Sequence, residues 1–347
     1  MTVYHVDHDV TLHVGDTIEV MRGLPESSVD CVVTSPPYFG LRDYGHPGQY
    51  GLETSPAEYV ARMVEVFAEV RRLLRPDGTC WVNIGDSYAS TGGTSGVGPN
   101  AVVTQTKRQA TKRTRPMSAL QPKNLIGMPW RVAFGLQDDG WILRNAVVWN
   151  KPNAMPESVR DRLSTRYETV FLLTRSARYW FDLDAIREPL AHPETLDVTR
   201  VFGGKNKDGT GGTGASARRR GHNVYGSKHQ PLTGGHGTMG QDGNGRRYPE
   251  KYDTGRGRNP GDVWTLSTQP YPEAHFAVMP PELARRCILA GCRPGGTVLD
   301  SFSGSGTTGM VARQPGRRYV GIDLRAEYHD LAVRRMGDTP LPFGEAS

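Results

Sequence analysis

The stretch Thr-Val-Leu-Asp-Ser-Phe-Ser-Gly-Ser-Gly-Thr-Thr, residues 297–308, decides the fold of this chain. A short apolar strand at 297–300 leads into a glycine-rich turn, and a helix is predicted to begin at Thr307. Glycines in such a turn let backbone amides approach a ligand at the top of a parallel sheet. We therefore expect an α/β protein with a ligand site at the carboxyl edge of its strands.

The glycine turn is compatible with two kinds of ligand. Gly304, Gly306 and Gly309 satisfy the spacing of a dinucleotide-binding turn, and Asp323 follows at the distance of a ribose-binding acid. A nucleotide-dependent oxidoreductase is therefore one hypothesis. However, few residues follow the turn, and Asp300 would repel a pyrophosphate but could hold a cationic amino group. S-adenosylmethionine, which carries an adenosine, a sulfonium and an amino acid tail, fits these residues better.

A second unusual turn, Ser35-Pro36-Pro37-Tyr38, follows a buried apolar strand predicted at Val29–Thr34. Neither proline has an N–H, so nearby carbonyls are not tied up by local turn bonds to them. These carbonyls and the Ser35 hydroxyl form a cluster of acceptors beside an aromatic face. Such a cluster suits a planar ring that carries an amino group. A proline-stiffened loop with a packed tyrosine is the alternative.

Strands and helices alternate in three ordered blocks of the chain. Helices are predicted at 16–24 (capped by Asp16), 56–74, 128–136, 281–290, 307–312 and 327–336. Strands are predicted at 11–15, 29–34, 79–84, 141–149, 168–174, 178–183, 297–300 and 319–323, with a turn at 76–78. The alternation indicates a largely parallel sheet, and the strands between 141 and 183 add an antiparallel piece.

Two long basic stretches separate these blocks. Residues 90–123 are rich in glycine and then in Lys and Arg, and residues 200–261 combine many glycines with Arg218, Arg219, Arg220, Arg246 and Arg247. Structureless stretches of this length inside a domain are usually functional or disordered. They are either solvated linkers or segments that become ordered on a phosphate backbone.

The composition limits the class of protein. The 347 residues can form one large domain or two ordinary ones, and the net charge of +6 fits a nucleic-acid partner without proving one. We expect no secretory signal and no membrane-spanning segment. The four cysteines match no zinc pattern, so we expect buried thiols in a cytoplasmic protein and no metal site.

The two turns together resemble the motifs of the amino-group DNA methyltransferases. Their order, with Ser35-Pro36-Pro37-Tyr38 first and the 300–308 loop last, is similar to the permuted β class. Residues 149–152, 166–168, 262–264 and 275–283 also resemble segments of that family. The resemblance implies a Rossmann-like S-adenosylmethionine-dependent methyltransferase sheet with circularly permuted motifs. Its parts would be a catalytic part at 1–199, which includes the basic loop 90–123, a loop-rich target-recognition insertion at 200–261, and a cofactor-binding part at 262–347.

The resemblance also implies roles for individual residues. The residues expected to bind S-adenosylmethionine are Asp300 near its ammonium group, Phe302, Gly304, Ser305, Gly306 and Thr307 around its methionine end, Asp323 at its ribose, and Phe276, Met279 and Pro280 along the pocket wall. The catalytic turn comprises Ser35, Pro36, Pro37 and Tyr38. Its Ser35 side chain and Pro36 carbonyl would hold the amine, and Tyr38 would stack on a base flipped out of the duplex. From their charge and position, Arg42 and the arginines of the 200–261 stretch are expected to contact double-stranded DNA, and a surface ion pair is the alternative for Arg42.

The expected reaction is methylation of the exocyclic N4 of cytosine in DNA, because a serine at position 35 is associated with N4 of cytosine in this family. The same reaction on N6 of adenine remains the alternative. Methylation of a ring carbon is disfavoured, since no Pro-Cys pair occurs. A non-catalytic DNA-binding module and a protein-amide methyltransferase are more distant alternatives. A partner restriction nuclease and a homodimer are further hypotheses.

Overall fold

The computed structural model describes residues 2–43, 45–46, 48–89, 120–189, 257–269 and 278–337. The chain divides into two compact units, one formed by Met1–Ile186 with Pro260–Ser347 and the other by Arg187–Asn259. In the second unit, Glu188 and Arg258 pair through an antiparallel bridge and a 2.8 Å ion pair. Most of both basic stretches, including Arg218, Arg219, Arg220, Arg246 and Arg247, lies outside the described residues.

The strands and helices of the described residues lie in the first unit. The strands are β1 (Thr2–Val6), β2 (Val10–Val14), β3 (Val29–Thr34), β4 (Leu74–Ile84), β5 (Ile142–Asn150), β6 (Tyr167–Thr174), β7 (Val263–Thr265), β8 (Thr297–Asp300) and β9 (Arg318–Asp323). The helices are α1 (Thr17–Arg22), α2 (Pro56–Leu73), α3 (Met128–Asp138), α4 (Pro281–Gly291), α5 (Thr307–Arg313) and α6 (Ala326–Gly337). A 3-10 turn spans Asp184–Ile186.

The described strands form one sheet in the order β1-β2-β9-β8-β3-β4-β6-β5-β7. The central strands from β2 to β4 are parallel to one another. Strand β6 is antiparallel to both β4 and β5, which confirms the predicted antiparallel piece and makes β5 parallel to β4. Strand β3 lies beside β8, so the ends of the two predicted motif strands meet at one edge of the sheet.

Helices cover both faces of the sheet. One core layer takes its side chains from α1, α2 and α3, among them Met63 and Phe67, and the other takes them from α4, α5 and α6, among them Ile288 and Ala332. Strand β3 is followed by helix α2 on the first face, whereas β8 is followed by α5 on the second. The direction of winding therefore changes between β3 and β8. Doubly wound sheets bind their ligands at this kind of switch point.

Local sequence explains why the helices begin where they do. Asp16 accepts the Ile18 and Glu19 amides at the start of α1, which confirms its predicted capping role. Ser55 caps α2 by accepting the Glu58 amide. In both cases a side-chain oxygen satisfies an amide that has no partner in the first turn.

The structure differs from the sequence predictions in four segments. The predicted turn at 76–78 is a bulge inside β4, where residues 75–78 lie opposite the single residue Asp30, and a bulge tolerates Pro76. The predicted strand at 178–183 is wrong, because Trp180 and Asp182 donate to carbonyls of two different elements and form no ladder. Strands β1 and β7 were not predicted, since β1 is exposed along its length and β7 has three residues.

Three features of the structure bear on cysteine chemistry, membrane insertion and metal binding. All four cysteines are free and buried, as predicted. No helix within the described ranges is long and apolar enough to cross a membrane. Among the same residues, no cluster of three His, Cys, Asp or Glu side chains could hold a metal ion.

Candidate active site

The catalytic turn and the glycine loop meet at the carboxyl ends of β3 and β8. The hydroxyl of Thr34, the last residue of β3, donates a 2.7 Å hydrogen bond to Oδ1 of Asp300, the last residue of β8. It also lies 3.2 Å from the Ser301 hydroxyl. These buried contacts join the residue before Ser35 to the residue that opens the glycine loop. The two motifs that the sequence separates therefore belong to one site.

Asp300 organises the glycine loop from within. Its Oδ1 also accepts the Phe302 amide at 3.1 Å, and its Oδ2 accepts the Thr308 hydroxyl at 2.7 Å. Burial raises the pKa of this carboxyl to about 6, against the lowering effect of the donors from Thr34 and Thr308. The side chain is not among those that line the neighbouring cleft. Its expected contact with an ammonium group stays a prediction.

The glycines of the loop are required by backbone geometry and by close packing. Gly306 has φ of 72° and precedes α5, and a Cβ there would lie 2.6 Å from the Cβ of Ala332. A side chain at this position would therefore collide with α6 in addition to straining the backbone. Arg335 of α6 donates to the hydroxyls of Ser305 and Thr307 at 2.7 and 2.9 Å. These contacts hold the loop from the side of α6.

Asp323 is the last residue of β9, and each of its carboxylate oxygens can accept a further hydrogen bond. One of its carboxylate oxygens accepts the Gly304 amide at 2.8 Å, and the other accepts the Arg325 amide at 3.0 Å. A carboxylate oxygen has two lone-pair positions, so both oxygens can still accept from ribose hydroxyls. Burial raises the pKa of Asp323 to about 6, and the two amides act in the opposite direction.

A cleft opens beside these residues, and its mostly apolar lining with a few polar groups is of the kind that binds a small-molecule cofactor. Three residues predicted from the sequence line it, namely Pro37 of the catalytic turn, Phe302 of the glycine loop and Asp323. Aromatic rings form an apolar wall, since Tyr50 contacts Phe302 edge-on at 5.5 Å between ring centroids. The cleft thus combines an apolar wall, a carboxylate and direct access to the catalytic turn.

Sequence reasoning assigned none of the other nine lining residues to the site. These residues are Gly15, Thr17, His46, Gln49, Tyr50, Ser301, Leu324, Arg325 and Tyr328. Gly15 could have been found, because a Gly-Asp pair directly after a strand marks a sharp turn, and its φ is 151°. The Tyr50 hydroxyl donates to the neighbouring Asp16 at 2.8 Å, which fixes its ring. No local sequence pattern predicts that Tyr50 lines the cleft.

The structure gives the contacts of two predicted wall residues, whose role in the wall stays a prediction. Met279 packs against the core beneath α4, and the Pro280 carbonyl accepts the amides of Leu283 and Ala284 at the start of that helix. Neither is among the described residues that line the cleft. Phe276 lies outside the described residues, so its role in the wall stays a prediction.

The acceptors of the catalytic turn are arranged as an amine site requires. The Pro37 carbonyl is occupied, because it accepts the Tyr59 hydroxyl at 2.8 Å. Within the described parts of the chain, nothing donates to the Pro36 carbonyl. The Ser35 hydroxyl makes one long contact, of 3.5 Å, to the Tyr38 hydroxyl. Ser35 and Pro36 can therefore both accept from a bound amino group.

A polar network fixes Tyr38 behind this pair. Its hydroxyl donates to Oε2 of Glu168 at 2.6 Å and accepts from the Asn83 side-chain amide at 3.0 Å. Asn83 also donates to Glu168 at 3.0 Å, and Lys151 forms an ion pair with the other oxygen of Glu168. Burial and the nearby Glu168 raise the pKa of Tyr38 well above its usual value, so its hydroxyl keeps its proton. Sequence reasoning assigned no role to these partners.

Arg42 lies four residues after the turn, whereas Asp86 lies two residues after the end of β4. Arg42 follows the turn, and its carbonyl accepts the Gln49 side chain at 3.2 Å. Its expected contact with DNA stays a prediction. Asp86 accepts the amides of Gly127 and Met128 at 3.0 Å, so it supports the start of α3.

The chain is similar in sequence to known DNA methyltransferases. Residues 29–334 match the profile of the N6_N4_Mtase family, described as DNA methylase. The chain is 42% identical over 326 residues to the type II methyltransferase M.Cfr9I of Citrobacter freundii, a match that covers 94% of this chain and 87% of that protein. These matches overturn the oxidoreductase hypothesis.

Solved structures share the fold. The PvuII DNA methyltransferase, named as cytosine-N4-specific, superposes with a TM-score of 0.60 at 18% identity, covering 99% of this chain and 90% of that one. A putative DNA modification methylase from Thermus thermophilus, solved with S-adenosyl-L-methionine, gives 0.50 at 21% identity and covers 94% of this chain and 96% of that one. The chain therefore belongs to the N6_N4_Mtase family of DNA methylases and is a site-specific type II DNA methyltransferase that uses S-adenosylmethionine.

Proposed function

We propose that this enzyme methylates the exocyclic N4 of a cytosine flipped out of duplex DNA. The observation that carries the proposal is the pair of acceptors at Ser35 and Pro36, one residue from the cleft-lining Pro37. An amino group held by this pair would face the cleft in which S-adenosylmethionine fits. When bound, S-adenosylmethionine supplies a methyl group on a positively charged sulfur.

The Ser35 and Pro36 oxygens would make the exocyclic amine of the base a better nucleophile. An exocyclic amine on a base is a poor nucleophile because its lone pair is shared with the ring. Hydrogen bonds from its two N–H groups to the Ser35 Oγ and the Pro36 carbonyl favour a tetrahedral nitrogen, whose lone pair then points toward the cleft. The residues act by position and electrostatics, and no covalent bond to the protein is needed.

The Tyr38 network makes Ser35 a better acceptor. The Ser35 hydroxyl donates toward Tyr38, and Tyr38 donates to the Glu168 carboxylate. Hydrogen bonds in such a chain polarise one another, so the negative charge of Glu168 increases the electron density on Ser35 Oγ. The lone pairs of that oxygen are thereby directed to the amine.

Tyr38 would also hold the ring of the flipped base. Its hydroxyl is pinned by Asn83 and Glu168, which leaves a ring face as the part available for stacking. Gly85 permits this position, because a Cβ there would lie 2.5 Å from the Tyr38 ring. Aromatic stacking tolerates any base, so Tyr38 supplies affinity and orientation without choosing between cytosine and adenine.

Two observations favour cytosine over adenine. Residue 35 is a serine, a neutral acceptor, and the PvuII enzyme that shares the fold is named as cytosine-N4-specific. Neither excludes N6 of adenine, which carries the same kind of amine and is the second candidate.

For the rest of the chain, we propose that residues 200–261 recognise the target sequence, with Arg42 and the arginines of that stretch contacting phosphates. We also propose that the enzyme acts alongside a partner restriction nuclease and that it forms a homodimer.

Transfer of a radiolabelled methyl group to duplex DNA, followed by hydrolysis to nucleosides, tests the reaction. We expect the label in N4-methylcytosine. Label in N6-methyladenine would establish the second candidate. The absence of label from both nucleosides, with DNA of diverse sequence, would refute the proposal.

A further inference from the structure

The loop of residues 151–166 joins β5 to β6 at the catalytic edge of the sheet. Because β5 is parallel to β4, its carboxyl end lies at the same edge as the ends of β3 and β4. The loop therefore leaves the sheet beside the catalytic turn.

Both ends of this loop are tied to the catalytic turn. Lys151, where the loop begins, forms an ion pair with Glu168, just after the loop ends. Glu168 in turn accepts the Tyr38 hydroxyl at 2.6 Å. In the middle of the loop, the Arg162 guanidinium stacks 4.1 Å from the centre of the Tyr88 ring, which follows β4. The loop thus has a fixed position relative to Tyr38.

The loop is braced by its own contacts. Glu157 accepts from Arg162 at 2.6 Å and from the Thr165 amide at 3.4 Å. Arg166 donates to the Pro152 carbonyl at 2.9 Å, close to the base of the loop. These bonds define the path of the loop on both sides of residue 163.

The braced loop presents an apolar side chain to solvent. Leu163 is 91% exposed, the highest exposure of the large apolar residues in the described structure. Single exposed leucines are common on protein surfaces and need no explanation by themselves. This one, however, lies between Arg160 and Arg166, and no carboxylate in the described residues pairs with Arg160. The one acid between these two arginines, Asp161, forms a 2.5 Å ion pair with Lys123. An apolar tip among cations matches the stacked bases and phosphates of DNA.

We propose that this loop enters the DNA and that Leu163 fills the space vacated by the flipped base. The inference rests on the proposed base-flipping reaction. Removing a base from the stack leaves an apolar gap between its neighbours, and apolar side chains commonly wedge between base steps. Arg160 contacts a phosphate beside the gap. Leu163 therefore stabilises the extrahelical base without touching it.

Leu163→Ala provides a clean test, because an exposed side chain contributes little to stability. On a duplex with a fluorescent cytosine analogue at the methylated position, the variant should show a smaller fluorescence rise on binding and a kcat/KM about tenfold lower. Leu163→Phe should retain both, since it fills the gap. Val6→Ala, which shortens another exposed apolar side chain at the far edge strand β1, is the matched control.

Arg160→Ala tests the phosphate contact separately. The slope of log K against log salt for DNA binding should become shallower by about one unit. Arg318 is an exposed arginine at the amino end of β9, away from the carboxyl ends of the strands where the catalytic turn lies. Arg318→Ala should therefore leave that slope unchanged. Normal flipping and methylation by Leu163→Ala in an active enzyme would overturn the inference. Lack of methylation by the unmodified enzyme would instead refute the proposed function.

Discussion

The Thr34 hydroxyl donates a 2.7 Å hydrogen bond to Asp300, although 266 positions separate the two residues in the chain. This bond links the strand that carries the catalytic turn to the strand that carries the cofactor loop. It explains how motifs from opposite ends of the sequence act as one site. The amine acceptors and the cleft are held in register by buried side chains.

Loss of the Thr34 hydroxyl should destabilise the junction. In Thr34→Val the shape of the side chain is kept, but the buried Asp300 carboxylate loses one donor. We expect the free energy of unfolding to fall by about 1–3 kcal/mol and the pKa of Asp300 to rise further. Urea unfolding measures the first effect. Thr34→Ser, which keeps the hydroxyl, is the control, and equal stability of the two variants would contradict the role of the bond.

Removal of the Ser35 hydroxyl should affect chemistry and leave cofactor binding unchanged. Ser35→Ala loses one of the two amine acceptors, and removal of a comparable group that stabilises a transition state lowers kcat about 10²–10³-fold. Single-turnover methyl transfer measures this loss, and calorimetry should give an unchanged Kd for S-adenosylmethionine. Ser28→Ala, at the opposite end of β3, should behave as the parent enzyme. An unaltered rate in Ser35→Ala would remove Ser35 from the mechanism.

The two acids of the cofactor site predict how binding depends on pH. Asp300 and Asp323 have pKa values of about 6 in the protein, so both are mostly ionised at pH 7.5 and mostly protonated at pH 5. The ligand is cationic, and ribose hydroxyls bind better to a carboxylate than to a carboxylic acid. Affinity should therefore fall as pH falls through 6, by about tenfold at pH 5 for each carboxylate that must ionise.

Calorimetric titration between pH 5 and 8 provides the measurement for this pH dependence. Asp323→Asn should bind S-adenosylmethionine more weakly at pH 7.5 and should lose part of the dependence on pH. A dissociation constant that stays flat from pH 8 to pH 5 would show that neither acid serves the cofactor.

Glu168 should act on the reaction through Tyr38. Glu168→Gln keeps the size of the side chain and removes its charge, which weakens the hydrogen-bond chain to Ser35. We expect kcat to fall about tenfold, equivalent to about 1.4 kcal/mol, while the KM for DNA changes little.

A double-mutant cycle separates this role from a structural one. Tyr38→Phe breaks the same chain, so Tyr38→Phe with Glu168→Gln should be no slower than the slower single variant. Fully additive losses in kcat would mean that the two residues act independently.

The sequence specified the parts of the site that depend on local pattern. Strand β3 was predicted with its observed bounds because Val29–Thr34 is an apolar run buried on both faces. The glycine loop was identified because turns of that geometry need glycine. The remainder depends on tertiary packing: Tyr50 reaches the cleft from an irregular loop, and Glu168 meets Tyr38 across 130 positions. The hydrophobic periodicity of these segments does not predict either contact.

Modified-base sequencing of DNA from a host that expresses the chain tests the central claim most directly, because it reports both the base and its sequence context. We predict N4-methylcytosine at one recurring sequence, and its absence when the host expresses Ser35→Ala. Genomic DNA with no N4-methylcytosine and no N6-methyladenine attributable to the active chain, or modification that persists unchanged with Ser35→Ala, would contradict the account.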